Sequence, residues 1–149
     1  MKLPREHPSI PKPKVGVLLI NLGTPNRTDY FSMRKYLNEF LSDKRVIEVP
    51  SIIWQPILKL IILTVRPKRS GKLYEKIWDK VHNESPLRTN TRQQAEQVAK
   101  HFRSKAVVEL AMRYGNPSIK EKIDILLKKG CTKILFFPLY PQYSATTTA

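Results

Sequence analysis

Cysteine is nearly missing from this sequence, Cys131 being the single example in 149 residues. One cysteine excludes an internal disulfide framework, and no CxxC or Cys/His cluster offers a set of metal ligands. A reducing compartment is the expected setting. Cys131 lies between Gly130 and Thr132 just ahead of a strand and reads as a buried structural thiol. The chain starts MKLPREHP, without the apolar core of a secretory signal, so none is expected. The stretch 51–65 is apolar but short of the ~20 residues that a membrane-spanning helix needs, and Gln55, Pro56 and Lys59 interrupt it. The dinucleotide fingerprint GxGxxG is absent, and neither a repeat nor an internal domain boundary is visible. Acidic residues are scarce too: 12 Asp and Glu stand against 27 Lys and Arg, a net charge of +15. That imbalance implies an anionic partner, whether nucleic acid, a membrane surface or an acidic small molecule. The basic residues are scattered, with no Lys/Arg-rich run and no RNP-like aromatic motif, which makes a nucleic-acid-binding module the weaker alternative.

What is present reads as one α/β domain. The length and the 41% hydrophobic content suffice for a real core. Residues 1–14, with four prolines, are expected to form an extended arm. Val15–Ile20 is a buried strand running into a turn at 21–26, where Gly23 permits close backbone approach and Pro25 fixes a bend. Thr28 or Asp29 can cap a helix to about Leu41, with Phe31, Tyr36, Leu37, Phe40 and Leu41 as its apolar stripe. A short helix is expected over 71–78. A turn at 83–87 leads into a helix from Thr89 to about Phe102, apolar at Ala95, Val98, Ala99 and Phe102. Val107–Met112 is a strand that would deliver Arg113 and Tyr114 beyond its end. An arginine there suits a carboxylate ligand, by a charge-assisted and often bidentate contact, or else pairs with a nearby acid. Ser118 caps a helix to about Lys129, with Ile119, Ile123, Leu126 and Leu127 inward, and Gly130 ends it.

The run from Ile134 to Phe137 is apolar without alternation, the pattern of a strand buried on both faces. Pro138 and Pro141 stop it. Tyr140, Gln142, Tyr143, Ser144 and the threonines at 146–148 then crowd hydroxyls just past its C-terminal end, where open parallel sheets bind ligands. Strands joined by helices over short connections predict a parallel sheet flanked by helices.

The stretch 50–69 has two readings. It is a buried helix, or it is a membrane-surface lip. In the second case Trp54, Ile57, Leu58 and Ile61 would enter the interface while Lys59, Arg66, Lys68 and Arg69 would meet anionic headgroups.

Four motifs in order, NLGTP (21–25), SPL (85–87), MRYGNP (112–117) and LYPQYS (139–144), together with FLSDKRVIEVP (40–50), resemble the signatures of ferrochelatases. These enzymes insert ferrous iron into protoporphyrin IX in heme biosynthesis. The resemblance spans nearly the whole chain. It implies a chelatase-like, Rossmann-like lobe over 15–149, one of two similar lobes that enclose the porphyrin. By that likeness Leu22 faces the macrocycle, Tyr74 lies near the lip, Arg113 and Tyr114 line the pocket wall, and Tyr140, Tyr143 and Ser144 belong to the substrate site. Ser85 contacts substrate or is a turn hydroxyl. The lip reading is favoured on the same likeness, as an apolar pocket rim that touches the membrane.

The resemblance also implies what is to be sought elsewhere. The family's histidine and glutamate, taken to accept pyrrole protons and handle the metal, belong to the second lobe, which is absent here. His7, His82 and His101 read as surface residues, so no catalytic residue and no resident metal are expected in this chain, and alone it is expected to be inactive. Ala145 stands where some members carry a cluster-ligating cysteine, so an iron–sulfur cluster of that type is not expected. Thr148 replaces a common glycine. The expected partners are porphyrin, ferrous iron, the C-terminal half of the same enzyme and a membrane surface. The expected location is cytoplasmic, at the inner face of the cytoplasmic membrane.

Overall fold

The computed structural model describes residues 13–140 and 142–144. Most of the expected arm, Pro141 and the threonines at 146–148 lie outside those residues. The elements follow in the order β1 (Lys14–Thr24), α1 (Tyr30–Ser42), α2 (Ser51–Ile57), a π-helical turn (Leu58–Ile62), α3 (Leu63–Ile77), α4 (Pro86–Phe102), β2 (Ala106–Gly115), α5 (Ile119–Lys128) and β3 (Cys131–Pro138). The three strands form a parallel sheet in the order β2-β1-β3. An α/β lobe with helices on both faces of a parallel sheet is therefore what this sequence builds.

Three helices, α1, α4 and α5, start where a side chain satisfies one or more of the first free N–H groups. Asp29 Oδ1 accepts from the backbone N–H of Phe31 and Ser32 at 3.0 Å each, which starts α1. Ser85 accepts from Arg88 N at 3.3 Å, with Pro86 at the first position of α4. Ser118 accepts from Glu121 N at 3.2 Å and starts α5. Gly130, at φ 82°, turns the chain out of α5 into β3.

β1 is the central strand and Val17–Ile20 are buried along it. Its two faces serve different helices. Val17 and Leu19 pack with Val108, Leu110 and Ala95 toward α4. Leu18 and Ile20 pack with Ala111, Leu126 and Cys131 toward α5. A third cluster joins Met33, Tyr36, Leu37 and Leu41 of α1 to Leu58, Leu63 and Tyr114. Gly71 lets α3 press onto the loop before α1, since a Cβ there would sit 2.3 Å from Thr28 O.

Several expectations are corrected. β3 is an edge strand with Leu135, Phe136 and Phe137 54%, 47% and 49% exposed, not a strand covered on both faces. Its composition is that of a covered strand, but among the described residues β1 is its only strand partner and α5 packs at its start. β2 runs on to Gly115, so Arg113 and Tyr114 lie within the strand. No separate helix begins at Gly71: α3 is continuous from Leu63. α4 begins at Pro86 rather than Thr89. Phe31, Phe102 and Leu127, expected inward, are exposed.

The segment 51–77 is one helical path with a π turn inside it. Leu58 and Leu63 are both fully buried or nearly so, although five residues apart. A regular helix would rotate one of them away, and the wider turn keeps both against α1. Leu58 is therefore a core residue, which corrects its expected place at a membrane interface. Pro67 carries no N–H, so the carbonyl four residues earlier, Leu63 O, has no intrahelical donor. The Tyr30 hydroxyl at 3.1 Å and Arg34 Nη1 at 3.2 Å donate to it instead.

Candidate functional site

The C-terminal ends of the three strands are gathered by the parallel register, with Gly23 opposite Tyr114 and Ile20 opposite Pro138. Leu139 N donates to Ile20 O at 2.8 Å and keeps the chain on this edge as it leaves β3. Leu22, Arg113, Tyr114 and Tyr140 thus come to one side of the lobe. Leu22 is half-buried against the α1 cluster, as are Phe40, Val46, Ile47, Trp54 and Tyr74.

Asp43 organises the polar part of this edge. It ends α1, and its carboxylate accepts from Arg45 N at 2.9 Å, Arg113 Nη2 at 2.8 Å and the Tyr114 hydroxyl at 3.0 Å. The Arg45 N–H, helped by Tyr114 and Arg113, holds the Asp43 carboxyl below its usual range against the effect of burial. Burial and the bond to Asp43 push the Tyr114 phenol up to about 12. Arg113 is thus paired with an acid, while 28% of its side chain stays exposed. Its guanidinium carbon lies 5.1 Å from the Tyr114 ring centre. Tyr114 itself is buried, edge-on to Phe40 at 5.1 Å between centroids. Burial raises the Tyr140 phenol, and the nearby Arg113 charge partly offsets it.

Three buried side-chain atoms have no hydrogen-bond partner among the described residues: Thr24 Oγ1, Arg88 Nε and the Tyr140 hydroxyl. All three belong to this same edge. Thr24 ends β1, Tyr140 follows β3, and Arg88 Nη2 reaches Thr24 O at 3.4 Å. Buried polar atoms are paired in the great majority of cases, so a concentration of unpaired ones at a sheet's ligand edge is informative. Tyr74 has Tyr36 and Thr24 as polar neighbours, and burial, the dominant influence, raises its phenol.

The remaining expected residues lie apart. Ser85 is 1% exposed, and its hydroxyl serves as the cap of α4. Tyr143 is 75% exposed, and Ser144 is half-buried. Trp54 Nε1 donates to Leu41 O at 2.7 Å, so this tryptophan seals the end of α1 with part of its ring inward. Ile57 and Ile61 are exposed at 39% and 61%, and Arg66 is exposed. A cavity of about 550 Å³ opens between Ile61, Ile62, Val65, Arg66, Arg69 and Leu73. No helix among the described residues is long and apolar enough to cross a membrane. No group of three His, Cys, Asp or Glu residues among them could hold a metal ion.

Asp43 and Arg88 were not singled out from sequence. Asp43 lies 70 residues from Arg113, and only its place in the motif at 40–50 marked the neighbourhood.

A family model described as ferrochelatase matches residues 14–149. A curated ferrochelatase of Brucella canis is 61% identical over 145 residues, covering 96% of this chain and 41% of the relative. That of Brucella anthropi is 63% identical over 139 residues, covering 92% of this chain and 40% of the relative. The chain thus spans about 41% of the length of the curated relatives that it matches.

Proposed function

The chain belongs to the ferrochelatase family, and from that premise we propose that it is the porphyrin-binding N-terminal half of an enzyme that inserts ferrous iron into protoporphyrin IX. The carrying observation is the convergence of Arg113, Asp43, Tyr140 and the apolar Leu22 side at the C-terminal edge of the sheet, together with the unpaired polar atoms there. A porphyrin presents a flat apolar ring and anionic propionates. Leu22 takes the ring. The exposed part of the Arg113 guanidinium takes a propionate, with Asp43 holding its other edge in place. The Tyr140 hydroxyl gains a partner in the same contact. Tyr74 and Tyr114 complete the surroundings, Tyr143 and Ser144 follow on the chain that leaves Tyr140, and Ser85 acts through the α4 cap.

Metallation requires loss of two pyrrole protons, and so needs a base within hydrogen-bond reach. The remainder of the full-length protein is to supply it, as the family resemblance implies. That remainder also covers the edge strand β3, where three large apolar side chains, alternating between its two faces, otherwise meet water. The lip, with Ile57 and Ile61 outward and Arg66 beside them, rests on a membrane surface, where a sparingly soluble porphyrin is held.

The test is porphyrin titration of the full-length protein, followed by absorbance. Arg113→Leu is expected to weaken binding about tenfold, the equivalent of ~1.4 kcal/mol, and Arg113→Lys by less. Unchanged affinity in a folded Arg113→Leu protein would remove Arg113 from the site. Binding that collapses with added salt would favour a basic module without catalysis over a site built on ring burial.

A further inference from the structure

On the outer side of α1, away from the sheet edge, a second cavity of about 360 Å³ opens between α1 and the π turn. Its lining is Phe31, Arg34, Lys35, Asn38, Lys59 and Leu63. Three of these six are cations, and none is an acid. The acids nearby on α1 are committed elsewhere: Asp29 caps the helix and bonds Ser32, and Glu39 accepts from Gly115 N at 3.0 Å. Lys35 and Lys59 are exposed and make no ion pair among the described residues.

The cavity is preorganised as well as basic. Arg34 is held by the proline-freed carbonyl of Leu63 and by the Tyr30 hydroxyl at 3.3 Å. Both contacts use Nη1, and its other nitrogens make no hydrogen bond among the described residues. Phe31 of the lining is 78% exposed, and Leu60, next to Lys59 in the chain, is 72% exposed. Exposed cations beside bare hydrophobes match one kind of surface, a headgroup phosphate above an acyl boundary.

We infer that the cavity formed by Arg34, Lys35 and Lys59 binds the phosphate of an anionic phospholipid. This site would fix the orientation of the lip on the membrane and rests on the membrane contact proposed above. Phosphate chemistry is shared with soluble ions. The exposed apolar side chains select the lipid, because Phe31 and Leu60 gain nothing from a free phosphate.

The experiment is co-sedimentation of the full-length protein with vesicles of phosphatidylcholine alone, and of phosphatidylcholine mixed with phosphatidylglycerol. Four forms are compared: wild type, Lys35→Gln/Lys59→Gln, the charge-matched Lys120→Gln/Lys128→Gln on α5, and Leu60→Asp/Ile61→Asp on the lip. A basic residue close to an anionic membrane is worth ~1 kcal/mol, or about fivefold in affinity. The cavity pair is therefore expected to lose about 25-fold on the anionic vesicles, and the α5 pair less than about twofold. Equal losses in the two lysine pairs would overturn the site and leave only diffuse attraction by net charge. No loss in the cavity pair alongside loss in Leu60→Asp/Ile61→Asp would overturn the site while the membrane contact stands. Binding by none of the forms would overturn both. Inorganic phosphate that competes the protein off the vesicles at concentrations too low to screen charge would overturn the lipid as ligand.

Discussion

Replacing Asp43 with asparagine tests the centre of the sheet edge, because one carboxylate there accepts from three donors. Asparagine keeps the size and an acceptor oxygen, so the change is chiefly one of charge. Asp43 and Arg113 are 17% and 28% exposed at their side chains, which puts the pair between two regimes. Breaking an exposed pair costs ~0.2–1 kcal/mol, and breaking a buried one costs ~3–5 kcal/mol. With partial exposure, the expected loss is roughly 2 kcal/mol at neutral pH.

The pH dependence has a definite direction. The folded-state pKa of Asp43 lies below its ordinary value of 3.8, so the unfolded chain binds the proton more readily. The stabilisation is complete above 3.8 and is lost as pH falls through the folded value. Urea denaturation of wild type and Asp43→Asn should therefore differ most at neutral pH, and the gap should close on acidification. Tyrosinate absorbance gives a second readout. The bond to Asp43 is one of the causes that push Tyr114 up to about 12, so the variant's phenol should titrate closer to 10. A gap that widens in acid, or a Tyr114 titration unmoved by the substitution, would show that Asp43 is not the organising group.

Three further outcomes follow from the packing. Gly23→Ala would put a Cβ 1.9 Å from Tyr114 O at a φ of 116°, so a loss on the order of 3 kcal/mol or more is expected in thermal melts; a loss under about 1 kcal/mol would mean that β1 and β2 can separate freely there. Tyr30→Phe alone should cost about 1 kcal/mol, and Tyr30→Phe/Arg34→Met more than the sum of the singles, because only the double change strands the Leu63 carbonyl; strict additivity in a double-mutant cycle would argue against shared support. Leu135→Lys/Phe137→Lys should leave the stability of the 149-residue chain within about 0.5 kcal/mol, since both side chains are half exposed, yet prevent co-purification with a separately expressed remainder; undiminished co-purification would place the partner surface elsewhere.

What could be read from sequence was local, and what could not was set by distance or by neighbours. The helix caps at Asp29 and Ser118 act within three residues of themselves, and sequence shows such signals directly; the equally local cap at Ser85 was missed, with the helix expected only from Thr89. The buried run of β1 was legible because a central strand is covered on both faces whatever the topology. The same pattern misled at β3, because an apolar run says that a strand is suited to cover and not that anything covers it. Arg113 was found as a charge at a strand end, but its partner Asp43 lies too far along the chain for spacing to connect them. Leu58 was assigned to the membrane lip together with its aliphatic neighbours, because an apolar run does not by itself say which of its members face inward. The π turn, which no residue type announces, turns it in.

The net charge of +15 is the property that the fold leaves least explained, and where the acids sit shows why. Asp43, Glu84 and Glu109 are each spent on cations of the fold itself: Arg113, Arg92, and the pair Lys122 and Lys129. Asp29 and Asp79 are spent mainly on backbone N–H groups beside them. These five carboxylates therefore help to hold the lobe together. Lys59, Arg66, Lys68 and Arg69 meet no acid within ion-pair distance among the described residues, and Leu60, Ile61 and Val65, next to Lys59 and Arg66 in the chain, are exposed. Leaving such cations bare costs a lone domain little at physiological ionic strength, since exposed charges are screened within about 8 Å. The same charges add up on an anionic surface, where each is worth ~1 kcal/mol. On the proposed membrane contact, the uneven charge would serve what the lip meets rather than how the lobe folds.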